Sequence, residues 1–411
     1  MWLHETSTRE RRTLLAGFLG YGVDGFDFMI YSFVIPALLA AWNMTRAEAG
    51  YIATAGLLTS AAGGWAAGVL ADRFGRVRIL QLTVLWFAVF TFLSGFSHSY
   101  RELLFTRAMQ GFGFGGEWSV GSVLVAETIG ARHRGKAAGL VQSSWAVGWA
   151  VAALAYWAVY ALLPPALGWR ILFWIGIAPA ALILYIRRHV EESAAYLSTR
   201  RMAAHRGWAG FLGIFRPPLL RTTIFASLLN CGLLGAYYSV TTWLPTYLQT
   251  ERGLSVTGTS AYLLVLIGGS FSGYLMSAWL SDALGRRRCF ILFAVCGMLL
   301  VVSYTRIPVS DIEMLFLGFP LGFFISGVFS GMGAFLTELY PNAVRGSGQG
   351  FCYNAGRAAG ALCPALIGFW SARGSLGAAI AAGTAASYAL AIAAAWALPE
   401  TRGRELVADP A

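Results

Sequence analysis

Charge is what this sequence has least of. Only 12% of its 411 residues are Asp, Glu, Lys or Arg, where a soluble globule carries roughly 25%. Its 30 basic and 19 acidic side chains cannot solvate the surface of a chain this long. Lysine is nearly missing, with Lys136 the single example. Cysteine is sparse too: Cys231, Cys289, Cys296, Cys352 and Cys363 lie in or beside apolar segments without CxxC spacing. That excludes a disulfide framework and a cysteine metal site. There is no G-x-S-x-G and no histidine-rich cluster, which argues against a membrane-embedded enzyme, and nothing calls for a metal or any other cofactor. What is abundant is apolar: 57% hydrophobic side chains and 49 glycines. Long apolar runs between short charged clusters define a polytopic membrane protein. A cytosolic enzyme, a secreted scaffold and a disordered chain are excluded.

A helix needs about 20 apolar residues to cross the hydrocarbon layer. Twelve runs meet this, among them 13–41, 102–128, 168–187, 312–337 and 347–370. The fold class predicted is therefore all-α and integral to the membrane, with twelve transmembrane helices in two six-helix bundles. The longest polar gap divides six spans from six. The domain reading is an N-terminal bundle at 1–190, a cytoplasmic linker at 191–220, a C-terminal bundle at 221–400 and a tail at 401–411. The first run is too long for a signal-peptide core and is expected to be retained. The net charge of +11 sits in the gaps between runs rather than in one patch, so no nucleic-acid partner is predicted. With the N-terminus inside, inner segments hold 22 basic residues and outer loops 6. Basic residues favour the cytoplasmic side, which predicts an inner (plasma) membrane protein with both termini cytoplasmic.

The halves repeat. Asp72, Gly75 and Arg76 recur 210 positions later as Asp282, Gly285 and Arg286. Glu127 and Arg134 recur 211 later as Glu338 and Arg345, and Pro36 recurs 209 later as Pro245. An even number of spans between copies gives a parallel repeat about an axis along the membrane normal. These ten loop residues are assigned to gating, an aspartate capping a neighbouring helix while arginines hold ion pairs. "GFGFGG" at 111–116 satisfies a dinucleotide pattern, but its flanks are membrane helix, so close helix packing through small residues explains it better.

On these residues the chain resembles the major facilitator superfamily. "GVLADRFGRVR" and "SDALGRRR" are similar to its loop signature and the second-half copy. Arg107, Gly111 and Gly115 match its fourth-span R-x3-G-x3-G pattern. "VEESAAYL" and "PETRGREL" resemble its inner-face segments. More narrowly, "GYGVDGFDFMIYSFVIPAL" and "GGEWSVGSVLVAE" are similar to the sialate and monocarboxylate proton-symporter branch. One departure stands out. Fungal lactate permeases of that branch carry a histidine and a glutamine–aspartate pair after an asparagine in span seven. Here Asn230 is followed by Leu234, Tyr237 and Tyr238, so lactate specificity of that type does not carry over.

Five ionisable residues fall inside spans, where each costs about 2.5–3.5 kcal/mol to insert: Asp24, Asp27, Arg107, Glu117 and Arg357. Asp24 and Arg357 lie about ten residues into their spans, on the order of 16 Å deep. Asp24 and Asp27 share a helical face, and with Glu117 they are the candidates for proton coupling; the alternative is structural pairing with an arginine. Arg357 has no basic counterpart in the first half. Its planar five-donor head suits a carboxylate, or else a salt bridge to an acid such as Asp24. Arg107 is either a substrate contact or the partner of a proton-carrying acid. Gln142, Asn230, Tyr237, Tyr238 and Asn354 supply candidate polar contacts, with Trp118 and Trp145 as walls. Tyr237 and Tyr238 are adjacent, so only one is expected to face the cavity. The function predicted is secondary transport by alternating access, moving a small organic anion with protons through a monomer in the lipid bilayer. The alternative is an exporter of drugs or neutral sugars on the same fold.

Overall fold

The computed structural model describes residues 5–129, 134–192, 212–217, 219–308, 310–341 and 344–402. Among them are α1 (Thr8–Trp42), α2 (Arg46–Phe74), α3 (Arg76–Ser94), α4 (Tyr100–Thr128), α5 (Arg134–Leu162), α6 (Pro165–Ile175) and α7 (Ala180–His189). The second half holds α8 (Leu219–Thr250), α9 (Val256–Leu284), α10 (Arg286–Arg306), α11 (Asp311–Gly327), α12 (Met332–Leu339), α13 (Arg345–Gly360), α14 (Cys363–Ser371) and α15 (Leu376–Ala397). Three pairs make single passes: α6 with α7, α11 with α12, and α13 with α14. The chain therefore crosses twelve times.

Short polar caps start these apolar helices. Ser7 with Glu10, Thr45 with Glu48 and Ser310 with Glu313 each form a reciprocal capping box, which satisfies N–H groups that an apolar sequence leaves orphaned. Gly75 (φ 108°) and Gly285 (φ 99°) turn the chain between α2 and α3 and between α9 and α10, a conformation that side-chain-bearing residues rarely adopt.

Among the described residues, ten helical segments are long and apolar enough to cross a membrane. Their outer faces carry large apolar side chains such as Phe316, Trp279, Val69 and Leu162, as lipid contact requires. Pass four is instead charged, and the pass from α13 to α14 is polar in its first half and broken. Three runs read as continuous are interrupted. Span six breaks at Gly176–Pro179, span ten passes through a 3-10 turn at Val328–Gly331, and span eleven breaks at Ala361–Leu362. Proline or glycine stands at each break, and buried backbone groups there must find other partners.

Helix packing repeats between the halves. α2 packs on α4 and α1 on α5, as α9 packs on α11 and α8 on α13. Between the halves, α5 meets α9 and α2 meets α13 and α14. Glycine permits the closest approaches. A Cβ at Gly111 would overlap the Gly56 carbonyl oxygen, and one at Gly322 the Leu266 carbonyl oxygen. The "GFGFGG" run thus packs α4 against α2. Gly111→Val is expected to cost about 3 kcal/mol or more through overpacking and to abolish monodisperse protein in detergent chromatography. Gly139→Val, with nothing within 4 Å of the added Cβ, should leave the profile unchanged; the opposite ranking would refute the packing role.

Candidate functional site

The charges buried in the spans meet where the two halves face each other. On α1, Asp24 and Asp27 are both fully buried, yet they do not share one setting. Asp27 Oδ1 accepts from Thr91, its Oδ2 accepts from Gln110, and Arg107 Nη1 lies 3.7 Å from Oδ2. Arg107 also lies over the rings of Tyr31 and Phe173, at 5.5 and 5.7 Å. Among the described residues neither carboxylate oxygen of Asp24 has a hydrogen-bond partner, and the carboxyl of Glu117 is its neighbour from α4. Both carboxyls take neighbours from α4, which runs antiparallel to α1. It offers Gln110 to the later aspartate and, two turns on, Glu117 to the earlier one. Gly20 makes room for Glu117, whose Oε1 fills the space a Cβ would take.

Arg357, on α13, is buried in a ring of aromatic side chains. Its guanidinium carbon lies 5.0 Å from the centroid of Tyr353 and 5.7 Å from that of Phe114, and Nη2 donates to Tyr353 Oη at 3.4 Å. Phe28 lies 5.6 Å from Trp145 and 5.8 Å from Tyr238, and Tyr21 lies 5.2 Å from Trp145. The two adjacent tyrosines meet different neighbours. Trp145 Nε1 donates to Tyr237 Oη at 2.6 Å across the bundle boundary, while the Tyr238 hydroxyl is directed to Arg357. Both fit because one bonds across to α5 while the other packs beside α13.

Other residues singled out from the sequence sit around this chamber. Asn230 and Asn354 are buried; each donates to the carbonyl four residues earlier, at 2.8 and 3.0 Å, and each side-chain oxygen lacks a partner. Gln142 is half-buried on α5. The side chains of Trp118, Asp72 and Arg134 lie outside those described. Tyr21, Phe28, Gln110 and Phe114 join the site without being among the sequence candidates. Their one signal is helical spacing from a charged residue: Tyr21 and Phe28 flank Asp24 by three and four positions, and Gln110 and Phe114 flank Arg107 and Glu117 by three. A small cavity lined by Tyr31, Arg107, Gln110, Phe114 and Thr242 adjoins the chamber, with room for about one water molecule.

At the arginine-rich face, the repeated loops form two matching networks. Arg76 Nη2 pairs with Glu127 at 3.3 Å, and Glu192 accepts from the backbone N–H of Arg76 at 2.9 Å. In the second half Arg286 pairs with both Glu338 oxygens and with Asp282, while Glu400 accepts from the N–H groups of Arg286 and Arg287 at 2.8 and 3.1 Å. The helix caps expected from aspartate therefore come from Glu192 and Glu400, and Asp282 holds an arginine instead. Asp282 stands in the last turn of α9, before the Gly285 turn, and its carboxylate is taken up by the Arg286 side chain. Partial burial alone would raise the pKa of Glu400, but N–H donors from Arg402, Arg286, Thr401 and Arg287 outweigh it and hold the carboxyl below its ordinary value. Arg345 donates to the Thr337 carbonyl at 3.1 Å.

Comparison with known proteins decides the family. The Major Facilitator Superfamily model matches residues 17–311 and 266–411. The chain belongs to this superfamily. A probable 4-methylmuconolactone transporter of Cupriavidus pinatubonensis is 41% identical over 98% of this chain and 93% of its own. A sialic acid transporter of Escherichia coli is 27% identical over 95% of each. The solved structure of a proton:xylose symporter superposes with a TM-score of 0.75 at 19% identity, covering 97% of this chain and 98% of that one; this likeness concerns the fold. The chain is accordingly a membrane-embedded transporter and not an enzyme, and the superfamily resemblance read from the loop motifs holds.

Proposed function

We propose that this transporter takes up a small organic anion, a carboxylate of the sialic acid or monocarboxylate kind, together with protons, by alternating access in the cytoplasmic membrane. The observation that carries this reading is Arg357, buried between Tyr353 and, from the other bundle, Phe114, within electrostatic reach of Asp24. A guanidinium so placed binds a carboxylate with charge-assisted hydrogen bonds, and its flanking rings hold the organic body. Two neighbouring carboxyls in a low-dielectric chamber avoid carrying two charges by holding a proton, which makes Asp24 with Glu117 the proton carrier. Asp27, held by Thr91, Gln110 and Arg107, positions α1 against α4 and is the second protonatable group.

The arginine-rich face is read as cytoplasmic, with both termini there. The bundles of residues 1–190 and 221–400 rock about the chamber in a monomer. Asp72, Gly75, Arg76, Glu127 and Arg134, with Asp282, Gly285, Arg286, Glu338 and Arg345, set the balance between states. Named relatives carrying a muconolactone and sialic acid support an organic acid. The many rings of the chamber favour the second reading, an exporter of drugs or neutral sugars. A buried cation among those rings favours the anion.

Proteoliposomes with an imposed pH gradient separate the two. Acid outside should drive uphill accumulation of at least one labelled carboxylate from a panel, and a protonophore should abolish it. Accumulation of a neutral sugar or drug with acid inside, and of no carboxylate, would overturn the reading.

A further inference from the structure

On the face opposite the arginine-rich loops, here the distal face, the two bundles are tied by a contact that enters a backbone. Pro364 has no N–H, so the pass from α13 to α14 breaks at Ala361–Leu362. Beyond the break the ladder resumes with Leu366 N–H donating to Leu362 O at 3.1 Å. The preceding bond, from Ala365 N–H to Ala361 O, is bridged by a hydroxyl from the other bundle. Ala365 N–H donates to Thr54 Oγ1 at 3.3 Å, and Thr54 Oγ1 donates to Ala361 O at 2.7 Å. Ala361 N–H in turn donates to the carbonyl of Arg357 at 2.9 Å. One hydroxyl of α2 is thus spliced into the backbone one turn beyond the buried guanidinium.

The surroundings fit this docking. Arg46, Gly50 and Thr54 are spaced four apart and line one stripe of α2. A Cβ at Gly50 would overlap the Pro364 carbonyl, and one at Gly368 would overlap the Arg46 carbonyl, so both helices approach at backbone distance. Arg46 reaches the Ser371 carbonyl at 3.4 Å and Glu251 at 3.8 Å. Trp243 Nε1 holds the Pro364 carbonyl from the other side at 3.0 Å.

We infer that Thr54 is a positioning residue: its hydroxyl completes the broken ladder of the α13–α14 pass only while the distal face is shut, and so couples closure of that face to the segment carrying Arg357. When the bundles part, the hydroxyl leaves and the two backbone groups pair directly or with water, which changes the pitch one turn beyond Arg357. The inference rests on the anion reading only for its effect on transport; the backbone contact stands without it.

Hydrogen exchange on the full-length protein in nanodiscs, without substrate, reads the contact directly. Thr54→Val keeps the shape and removes the hydroxyl. It is expected to raise exchange of the peptide spanning 361–371 about tenfold, the scale of leaving buried polar groups unsatisfied. Thr54→Ser should restore the native value. Thr59→Val, whose hydroxyl bonds only to α2 and α4 carbonyls, should leave that peptide unchanged. In uptake assays with the carboxylate identified in proteoliposomes, Thr54→Val should lower maximal rate about tenfold without raising the half-saturating concentration, because only the closed state is destabilised. Unchanged exchange in Thr54→Val, or no rescue by serine, overturns the splice. Raised exchange with an unaltered maximal rate overturns the coupling. If wild-type protein moves no carboxylate, the functional reading fails while the exchange arm still decides the inference.

Discussion

Arg357→Ala is expected to raise the half-saturating concentration for a transported carboxylate by roughly 30-fold or more, while the uncharged amide or methyl ester of the same compound loses far less. Truncating one partner of a buried, hydrogen-bonded charge pair costs about 2–5 kcal/mol, and each 1.4 kcal/mol is about a factor of ten in affinity. Arg357→Lys should recover little. The guanidinium is flanked by Phe114 and Tyr353 within 6 Å of their centroids, and lysine offers neither the flat face nor the forked donors that such a slot selects. Uptake of the acid and of its neutral analogue under matched gradients checks this. Equal losses for both compounds would show that Arg357 holds the chamber together without binding the anion.

Much of the architecture could be read from the chain because bilayer thickness and charge placement are strong constraints. Run lengths found every pass, including α4 and the α13–α14 pass, whose polarity carries it below a simple apolar threshold; the repeat of Asp72–Arg76 in Asp282–Arg286 supplied the register. The charged half of the site was legible for the same energetic reason, since Asp24, Asp27, Arg107, Glu117 and Arg357 are costly wherever they stand in a membrane. The aromatic half was not. Tyr21, Phe28 and Phe114 look in sequence like any ring in a span, and only the crossing of α1, α4, α5 and α8 separates chamber walls from lipid-facing side chains. The division of Asp24 from Asp27 was also hidden, because three-residue spacing places both on one face and the antiparallel neighbour decides which partner each meets. Thr54 carried no signal at all. Pro364 announces the break, but the hydroxyl that repairs it lies 307 residues away in sequence and belongs to the other bundle.

Asp24→Asn and Glu117→Gln are each expected to abolish pH-driven accumulation while leaving downhill flux of the anion. A proton gradient contributes about 1.4 kcal/mol per pH unit per proton, so a one-unit gradient supports about tenfold accumulation in a tightly coupled symporter. With the exchangeable proton removed, the ratio should fall to about one. The coupling has an electrostatic origin. Closing a dry chamber on one unbalanced charge, either a bare guanidinium facing a protonated acid or an ionised acid facing an anion-loaded guanidinium, costs several kcal/mol. A protonated acid with an anion seated on Arg357 avoids that cost, and so does the fully unloaded form in which Asp24 or Glu117 offsets the guanidinium. The mixed forms, with only one cargo aboard, are the ones denied passage. Asp27→Asn belongs to a different class. Its carboxylate answers Thr91, Gln110 and the buried Arg107, and breaking such a pair costs about 3–5 kcal/mol, so it should depress both downhill and uphill transport by disturbing the α1–α4 contact. Counterflow and pH-driven uptake measured side by side in the three variants tell these effects apart. Full uphill accumulation retained in Asp24→Asn, Glu117→Gln and Asp27→Asn alike would remove all three acids from the proton path.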